Sequence, residues 1–295
     1  MANTKIIFVG NYKGGVGKTT SVMNFAENFT KFGKEVLVLD IDPQSSLSEI
    51  LVSNSGSSLS ALNIEKTLNY VVDLNISRIK KYNGMQFQFD VIQKYSKKNY
   101  DFIASSLFYR ENLGLDELAL LMDDNIEYLS ILKSFMDSVL HNKNYDFVLI
   151  DCPPSNNLIT KSAFLLSDYY IIPTILDGIS SNGVAHYINT VRKTYEKYCE
   201  KSEDHVLAKH FFGEKPKLLG IFCTFIRKQV DYHVARTNLV EILGDKCQGE
   251  EIYFFKEEVN NFIDIARSTE VGEASKARND YELLSQRVLE RLNQI

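Results

Sequence analysis

Lys13-Gly14-Gly15-Val16-Gly17-Lys18-Thr19-Thr20 follows the apolar run Ile6-Ile7-Phe8-Val9 and precedes a helix-compatible stretch from Ser21 to Phe32. Strand, glycine-rich turn and helix start, in that order, form the context in which a backbone loop closes around phosphate. Gly14, Gly15 and Gly17 let main-chain N–H groups converge on phosphate oxygens without Cβ clashes. The helix that follows turns its positive end on the same anion. Lys18 is placed to reach the β- and γ-phosphates, and the Thr19 hydroxyl to bind Mg²⁺. Lys13 through Thr20 are therefore the candidate nucleotide-binding residues. The strict loop pattern has a glycine where this chain has Tyr12. Lys13 opens the loop instead, so two lysines stand five apart around three glycines. One cation serves its own phosphates, and the second could point outward, toward a nucleotide held by another subunit.

Outward from the loop, apolar strand candidates fall at 5–10, 35–40, 100–105, 145–151, 169–174, 217–223 and 251–255. Many are apolar at consecutive positions, as strands covered on both faces require. Helical stretches at 18–32, 126–141 and 183–200 alternate with them. This alternation predicts an α/β fold, a doubly wound and mostly parallel sheet with helices on both faces. Ligands then sit at the carboxyl ends of the strands, where the loop at 10–18 emerges. Residues 53–99 begin Ser-Asn-Ser-Gly-Ser-Ser and continue rich in Asn, Lys and Tyr. They read as a surface insertion with a helix near 64–80 and a small hairpin. Its Lys80-Lys81 and Lys97-Lys98 pairs read either as a solvated face or as contacts to DNA or a partner. The chain as a whole, 1–295, reads as one domain.

Three more stretches match in the same order. They are Val36 to Gln44 (Val-Leu-Val-Leu-Asp-Ile-Asp-Pro-Gln), Phe147 to Pro154 (Phe-Val-Leu-Ile-Asp-Cys-Pro-Pro), and Ser167 to Thr174 with Gly183 beyond it. With the loop, they resemble the deviant Walker A ATPases of the ParA/MinD family. The Asp-Pro-Gln form is similar to the ParA/Soj partition branch. The resemblance implies a P-loop fold, ATP and Mg²⁺ as cofactors, and a homodimer with ATP sandwiched at its interface. In that reading Lys13, Lys18 and Asp42 are catalytic. Lys13 acts across the interface, Asp42 orients the attacking water, and Asp40 supports the loop and the lysine. Asp151 ends an apolar strand and is placed to hold Mg²⁺ through water. Cys152-Pro153-Pro154 falls where relatives have a γ-phosphate-sensing switch; a rigid strand-ending turn is the other reading of Pro153 and Pro154. Gly220 to Phe225 resembles the strand whose end faces the base, which makes Thr224 a nucleotide-binding candidate. Phe254 to Glu258 departs from the Ile-Pro that relatives often carry.

Composition narrows the partners. The chain has 295 residues, 44% hydrophobic, and a formal net charge of −5. It can bury a substantial core, and its charge argues against constitutive nucleic-acid binding. Cys152, Cys199, Cys223 and Cys247 are widely spaced, which suggests neither a zinc site nor disulfides, and so a reducing cytosol. No apolar run approaches a membrane span. The expected location is cytoplasmic and nucleoid-associated. Basic candidates for DNA lie in the C-terminal half: Arg192 and Lys193, Arg227 and Lys228, Arg236, Arg267, Lys276 and Arg278. Arg192, Arg227 and Arg236 are the foremost three. The function implied is DNA partition by an ATP-driven dimer that binds nonspecific double-stranded DNA and answers to a ParB-like partner. Two alternatives stand beside it. A MinD-like membrane cycle needs a basic amphipathic C-terminal helix, whereas Tyr281 to Ile295 reads as a packing helix. A NifH-like reductase needs an iron–sulfur cluster between subunits, for which Cys152 has no well-placed second cysteine.

Overall fold

The computed structural model describes residues 4–81, 88–176, 180–227, 232–247, 249–260 and 278–295. Along the chain run β1 (Lys5–Val9), α1 (Lys18–Lys31), β2 (Val36–Asp40), α2 (Ser46–Asn54), α3 (Leu68–Lys81), β3 (Gln93–Tyr95), β4 (Tyr100–Ile103), α4 (Leu115–Leu120), α5 (Ile126–Asn142), β5 (Phe147–Asp151), α6 (Leu158–Leu166), β6 (Tyr169–Thr174), α7 (Ser180–Tyr195), α8 (His205–Phe212), β7 (Lys217–Cys223), α9 (His233–Lys246) and α10 (Arg278–Leu292). The seven strands lie in the order β3-β4-β2-β5-β1-β6-β7. β3 is antiparallel to β4; every other pairing is parallel.

Unbroken apolar runs make the central strands, because alternate side chains of a strand point to opposite faces. Ile6, Phe8, Leu37, Leu39, Val148 and Ile150 enter one core. Ile7, Val9, Val36, Val38, Phe147 and Leu149 enter the other. Helices α3, α5, α6 and α7 supply the first core with Leu68, Leu129, Phe164 and Val184. Helices α1, α2 and α10 supply the second with Phe25, Leu47 and Leu284. The doubly wound, mostly parallel sheet with helices on both faces is thus as the sequence predicts.

Three expectations need correction. Residues 251–255 form no strand: Phe254 makes one isolated parallel bridge to Ile221. Phe255 buries its side chain, and pairing resumes only where Val259 N–H donates to the Cys223 carbonyl at 2.8 Å. The stretch 53–99, read as a surface insertion, is partly core. Leu59, Leu68, Val71, Val72, Ile76 and Tyr95 are buried, and β3 completes the sheet edge as half of the expected hairpin. The helix expected at 183–200 is α7 to Tyr195 and then a π turn, Glu196–Glu200.

Candidate functional site

The loop before α1 is shaped by backbone geometry that its glycines allow. Gly15 and Gly17 adopt φ of 69° and 82°, and Gly17 is the left-handed N-cap of α1. The helix has no side-chain cap and no acidic residue in its first turn. Its leading N–H groups therefore keep their partial charge for an anion. α5 and α6 start otherwise: Asn125 accepts from Tyr128 N–H, and Asn157 from Thr160 N–H. Asn11, buried behind the loop, donates to the Pro173 carbonyl at 2.9 Å and accepts the Lys13 N–H at 3.0 Å. Tyr12 packs its ring edge-on against Tyr187 of α7 at 4.8 Å. The residue that breaks the strict loop pattern is thus a packing residue.

Four charged groups converge beneath the loop. Lys18 is buried, and its Nζ donates to the Lys13 carbonyl at 3.2 Å. Burial lowers its pKa, against the pull of Asp151, Asp42 and Cys152. In the parallel register of β2 and β5, Asp40 lies opposite Asp151. Both carboxylates are buried. Burial pushes the Asp151 carboxyl well up, the neighbouring Asp40 pushes it further, and nearby Thr19 and Lys18 pull it back. Neither Asp151 oxygen reaches a hydrogen-bond partner of ordinary geometry, the Thr19 hydroxyl included. Asp40 differs. Its Oδ2 accepts the Ser48 N–H at 2.9 Å and hydroxyl at 2.6 Å, and its Oδ1 accepts the Asp42 N–H at 3.0 Å. Burial still lifts it to about 6. Asp42 is half-buried, and its Oδ1 accepts the Gln44 N–H at 2.9 Å.

This donor set fits a hard divalent cation. Mg²⁺ takes oxygen ligands, keeps several waters, and is held by one or two carboxylates together with phosphate oxygens. Asp151 offers two unpartnered carboxylate oxygens next to the Thr19 hydroxyl. Among the described residues no group of three or more His, Cys, Asp or Glu is arranged to hold a metal ion by itself, so phosphate and water would complete the shell.

Other sequence candidates fare unevenly. Thr224 reaches the loop, but its hydroxyl is buried 3.0 Å from the Val16 carbonyl and 3.2 Å from that of Thr174. It fastens the phosphate loop to β6 and β7. Phe225, beyond it, holds φ at 57° with its ring beside Gly17. Pro153 is buried and Pro154 exposed. The DNA candidates do not form a free set. Arg192 pairs with Glu196 at 3.6 Å, Arg236 pairs with Glu258 at 3.3 Å, and Arg227 is exposed. Lys228, Arg267, Lys276 and the Arg278 side chain lie outside the described residues. Lys98 pairs with Glu27, and Lys80 donates to the Leu121 carbonyl. All four cysteines are buried and unbridged, and burial pushes the Cys152 thiol up. Sequence reasoning missed Asn11, Ser45, Ser48 and Ser105. Asn11 alone had a signal, a polar residue at the end of an apolar strand; the serines meet through the fold.

Strand, uncapped helix, buried lysine and orphaned carboxylate define a nucleotide-phosphate site of P-loop type. A family profile for an AAA domain (AAA_31) matches residues 4–203. The sporulation initiation inhibitor protein Soj of Bacillus subtilis is 33% identical over 190 residues, 64% of this chain and 65% of Soj. The match thus spans less than two thirds of that relative. A putative plasmid partition protein of Borrelia burgdorferi bound to AMPPNP superposes with a TM-score of 0.67 at 21% identity, over 99% of both chains. Cobyrinic acid a,c-diamide synthase of Mycobacterium smegmatis, with an ATP analogue and magnesium, gives 0.65 at 19% identity, over 98% of this chain and 96% of that one. At such identities the two structures show the shared fold. The chain belongs to this AAA domain family and is a ParA/Soj-like P-loop protein.

Proposed function

We propose that the protein is an ATP-dependent, Mg²⁺-requiring dimeric switch ATPase that serves DNA partition. The observation that carries this is Asp151, a buried carboxylate with two unpartnered oxygens under an uncapped, lysine-bearing loop. Asp151, through water, and the Thr19 hydroxyl would hold Mg²⁺, which would supply neutralisation of the charge that develops on the phosphates. Lys18 reaches the same phosphates from the loop's base, and the first-turn N–H groups of α1 close around them. Asp42 orients the attacking water, its carboxylate aimed by the Gln44 N–H. Turnover is slow, because water positioning limits it rather than phosphate binding. Pro153 and Pro154, directly after Asp151, carry the presence of the γ-phosphate to the surface. Lys13 reaches the nucleotide of a second copy, so two chains sandwich two ATP molecules.

The ATP dimer then binds double-stranded DNA without sequence preference and responds to a ParB-like partner. Two copies pool basic surfaces that are each too weak alone in a monomer of net charge −5. Arg227 is the foremost contact, since Arg192 and Arg236 are already paired. A membrane cycle fits less well. The apolar face of α10 is spent on the core through Tyr281, Leu284, Val288 and Leu292.

Light scattering and retention of a random duplex, each with ATP, ADP and no nucleotide, test the reading. ATP alone should give dimers and DNA retention. Retention should fall with salt by roughly 0.9 log units per log unit of salt for each phosphate contacted. Lys13→Ala should bind ATP yet stay monomeric. Equal DNA retention in ATP and ADP, or dimers formed by Lys13→Ala, would overturn it.

A further inference from the structure

A buried hydroxyl network reaches the Asp42 turn from the neighbouring strand. Ser105 follows β4 and is fully buried. Its N–H donates to Ser48 Oγ at 2.8 Å, and Ser48 in turn donates to Asp40. The Ser105 hydroxyl lies 2.9 Å from Ser45 Oγ and 3.2 Å from the Asp42 carbonyl. Ser45 N–H donates to that carbonyl at 2.8 Å. The Asp42 N–H is held by Asp40. Both polar groups of the Asp42 peptide are therefore fixed, while Asp42 itself stays half-buried beyond the carboxyl end of β2. Ser45 holds a left-handed φ of 52°, which a non-glycine residue keeps only when its surroundings impose it.

The other end of this tie is α3. Asn69 grips Ser106 at both peptide groups: Oδ1 accepts the N–H at 2.9 Å, and Nδ2 donates to the carbonyl at 3.1 Å. Asp73 accepts from the Tyr109 hydroxyl at 2.7 Å and from Arg110 at 2.6 Å. Between these grips and α4, Arg110, Glu111 and Asn112 hold φ of 31°, 55° and 66°. Three successive left-handed residues cost on the order of 1–3 kcal/mol each, and they last only when the surroundings over-determine them. A strained loop stapled by two buried side chains has its first residue against the Asp42 turn.

We infer that Ser105 is a positioning residue for Asp42, anchored by Asn69 of α3. This rests on the water-orienting role given to Asp42 above. A carboxylate that aligns water tolerates little movement, since a displacement of about 1 Å can cost about 100-fold in rate. Phosphate binding uses other residues and does not depend on this tie.

The test is the full-length protein, with a fluorescent ATP analogue for affinity and single-turnover phosphate release for hydrolysis. Ser105→Ala should slow release about tenfold or more while its affinity stays near wild type. Asn69→Ala leaves every hydroxyl of the network in place, so it guards against a Ser105 variant that fails to fold. It should show the same split, smaller in size. The double variant should be no slower than Ser105→Ala alone, because both act through one turn. Wild-type release by Ser105→Ala, or by Asn69→Ala where Ser105→Ala does not fold, overturns the inference. So does loss of affinity in step with rate. Asp42→Ala run alongside separates the two failures. If it hydrolyses normally, the role of Asp42 is wrong; if it is inactive while Ser105→Ala is normal, this inference alone falls.

Discussion

Asp101 and Asp151 are buried carboxylates on β4 and β5, the two strands that flank β2. Asp101 is satisfied: the Tyr145 hydroxyl donates to it at 2.5 Å, and the Lys143 ammonium pairs with the same oxygen. Asp151 has no hydrogen-bond partner and a second carboxylate, Asp40, across the ladder. A buried charge without a partner costs several kcal/mol. The fold meets that cost at Asp101, and also at Asp40 through Ser48 and the Asp42 N–H, and leaves it unmet at Asp151. Helix starts vary too: α5 and α6 are capped by asparagines, whereas α1, like α2, α4, α8 and α9, has no side-chain cap.

The largest effect should come from removing the cation near the unmet carboxylate. Lys18→Ala should weaken ATP binding by about 100-fold or more, about 2.7 kcal/mol or above, while the fold melts at or above the wild-type temperature. Titration with a fluorescent ATP analogue checks this; near-normal affinity would remove the loop from the site. Asp151→Asn should cut hydrolysis about 100-fold, on the scale of a lost metal contact, yet leave the nucleotide-free protein as stable as wild type or more so. Asp101→Ala should do the reverse. It leaves the Tyr145 hydroxyl orphaned, costs about 1–3 kcal/mol, and spares ATP binding. Urea titrations read the pair. Equal destabilisation by both variants would dissolve the contrast.

Acidity offers a gentler probe. Burial raises Asp40 from 3.8 to about 6 and lifts Asp151 too. Between the unfolded and folded values the native state binds more protons than the unfolded chain. These groups therefore withdraw stability as pH rises through that window, by on the order of 1–3 kcal/mol for Asp40. Asp151→Asn deletes one of the two buried carboxylates. Its stability relative to wild type should climb as pH rises above the ordinary carboxylate range. A difference that stays flat with pH would show that Asp151 is not held at this cost.

The phosphate loop and the sheet were legible because each is written in contiguous residues. Four apolar residues before Gly10, glycines at fixed spacing and a helix after them define one local object. The unbroken runs in β2 and β5 announced two covered faces, and hence parallel neighbours. The Asp40–Ser48–Ser105 network was not legible, since β2 meets β4 only once the sheet forms and serine has no periodicity of its own. The stretch 53–99 misled for a related reason. Its polar opening hides the stripe Leu68, Val71, Val72, Ile76, which follows helical spacing and is buried. The pairing of the arginines was legible only in part, because sequence gives charge without pairing: Glu196 four residues after Arg192 was visible, but Glu258 opposite Arg236 was not.

The smallest effect belongs to two tyrosines that repeat the carboxylate comparison without charge. Tyr281 on α10 exchanges a hydrogen bond with Ser21 on α1 at 2.9 Å. Tyr187 on α7 is buried against Gly10, where even a Cβ would fall 1.8 Å from its oxygen, and that oxygen has no partner. Tyr281→Phe should cost about 1 kcal/mol, the net worth of an ordinary hydrogen bond. Tyr187→Phe should be neutral or should stabilise the nucleotide-free protein by up to about 1 kcal/mol, because it removes a desolvated hydroxyl and keeps the ring packing. Urea midpoints of the two variants, taken side by side, separate the outcomes. If Tyr187→Phe is the more costly, its hydroxyl is satisfied after all, and the strand end beside Gly10 belongs with the closed, partnered parts of the fold. If it is neutral without nucleotide but weakens ATP binding, the hydroxyl finds its partner only when the phosphate loop is filled. Tyr187 then joins Asp151 among the groups this fold leaves open for its ligand.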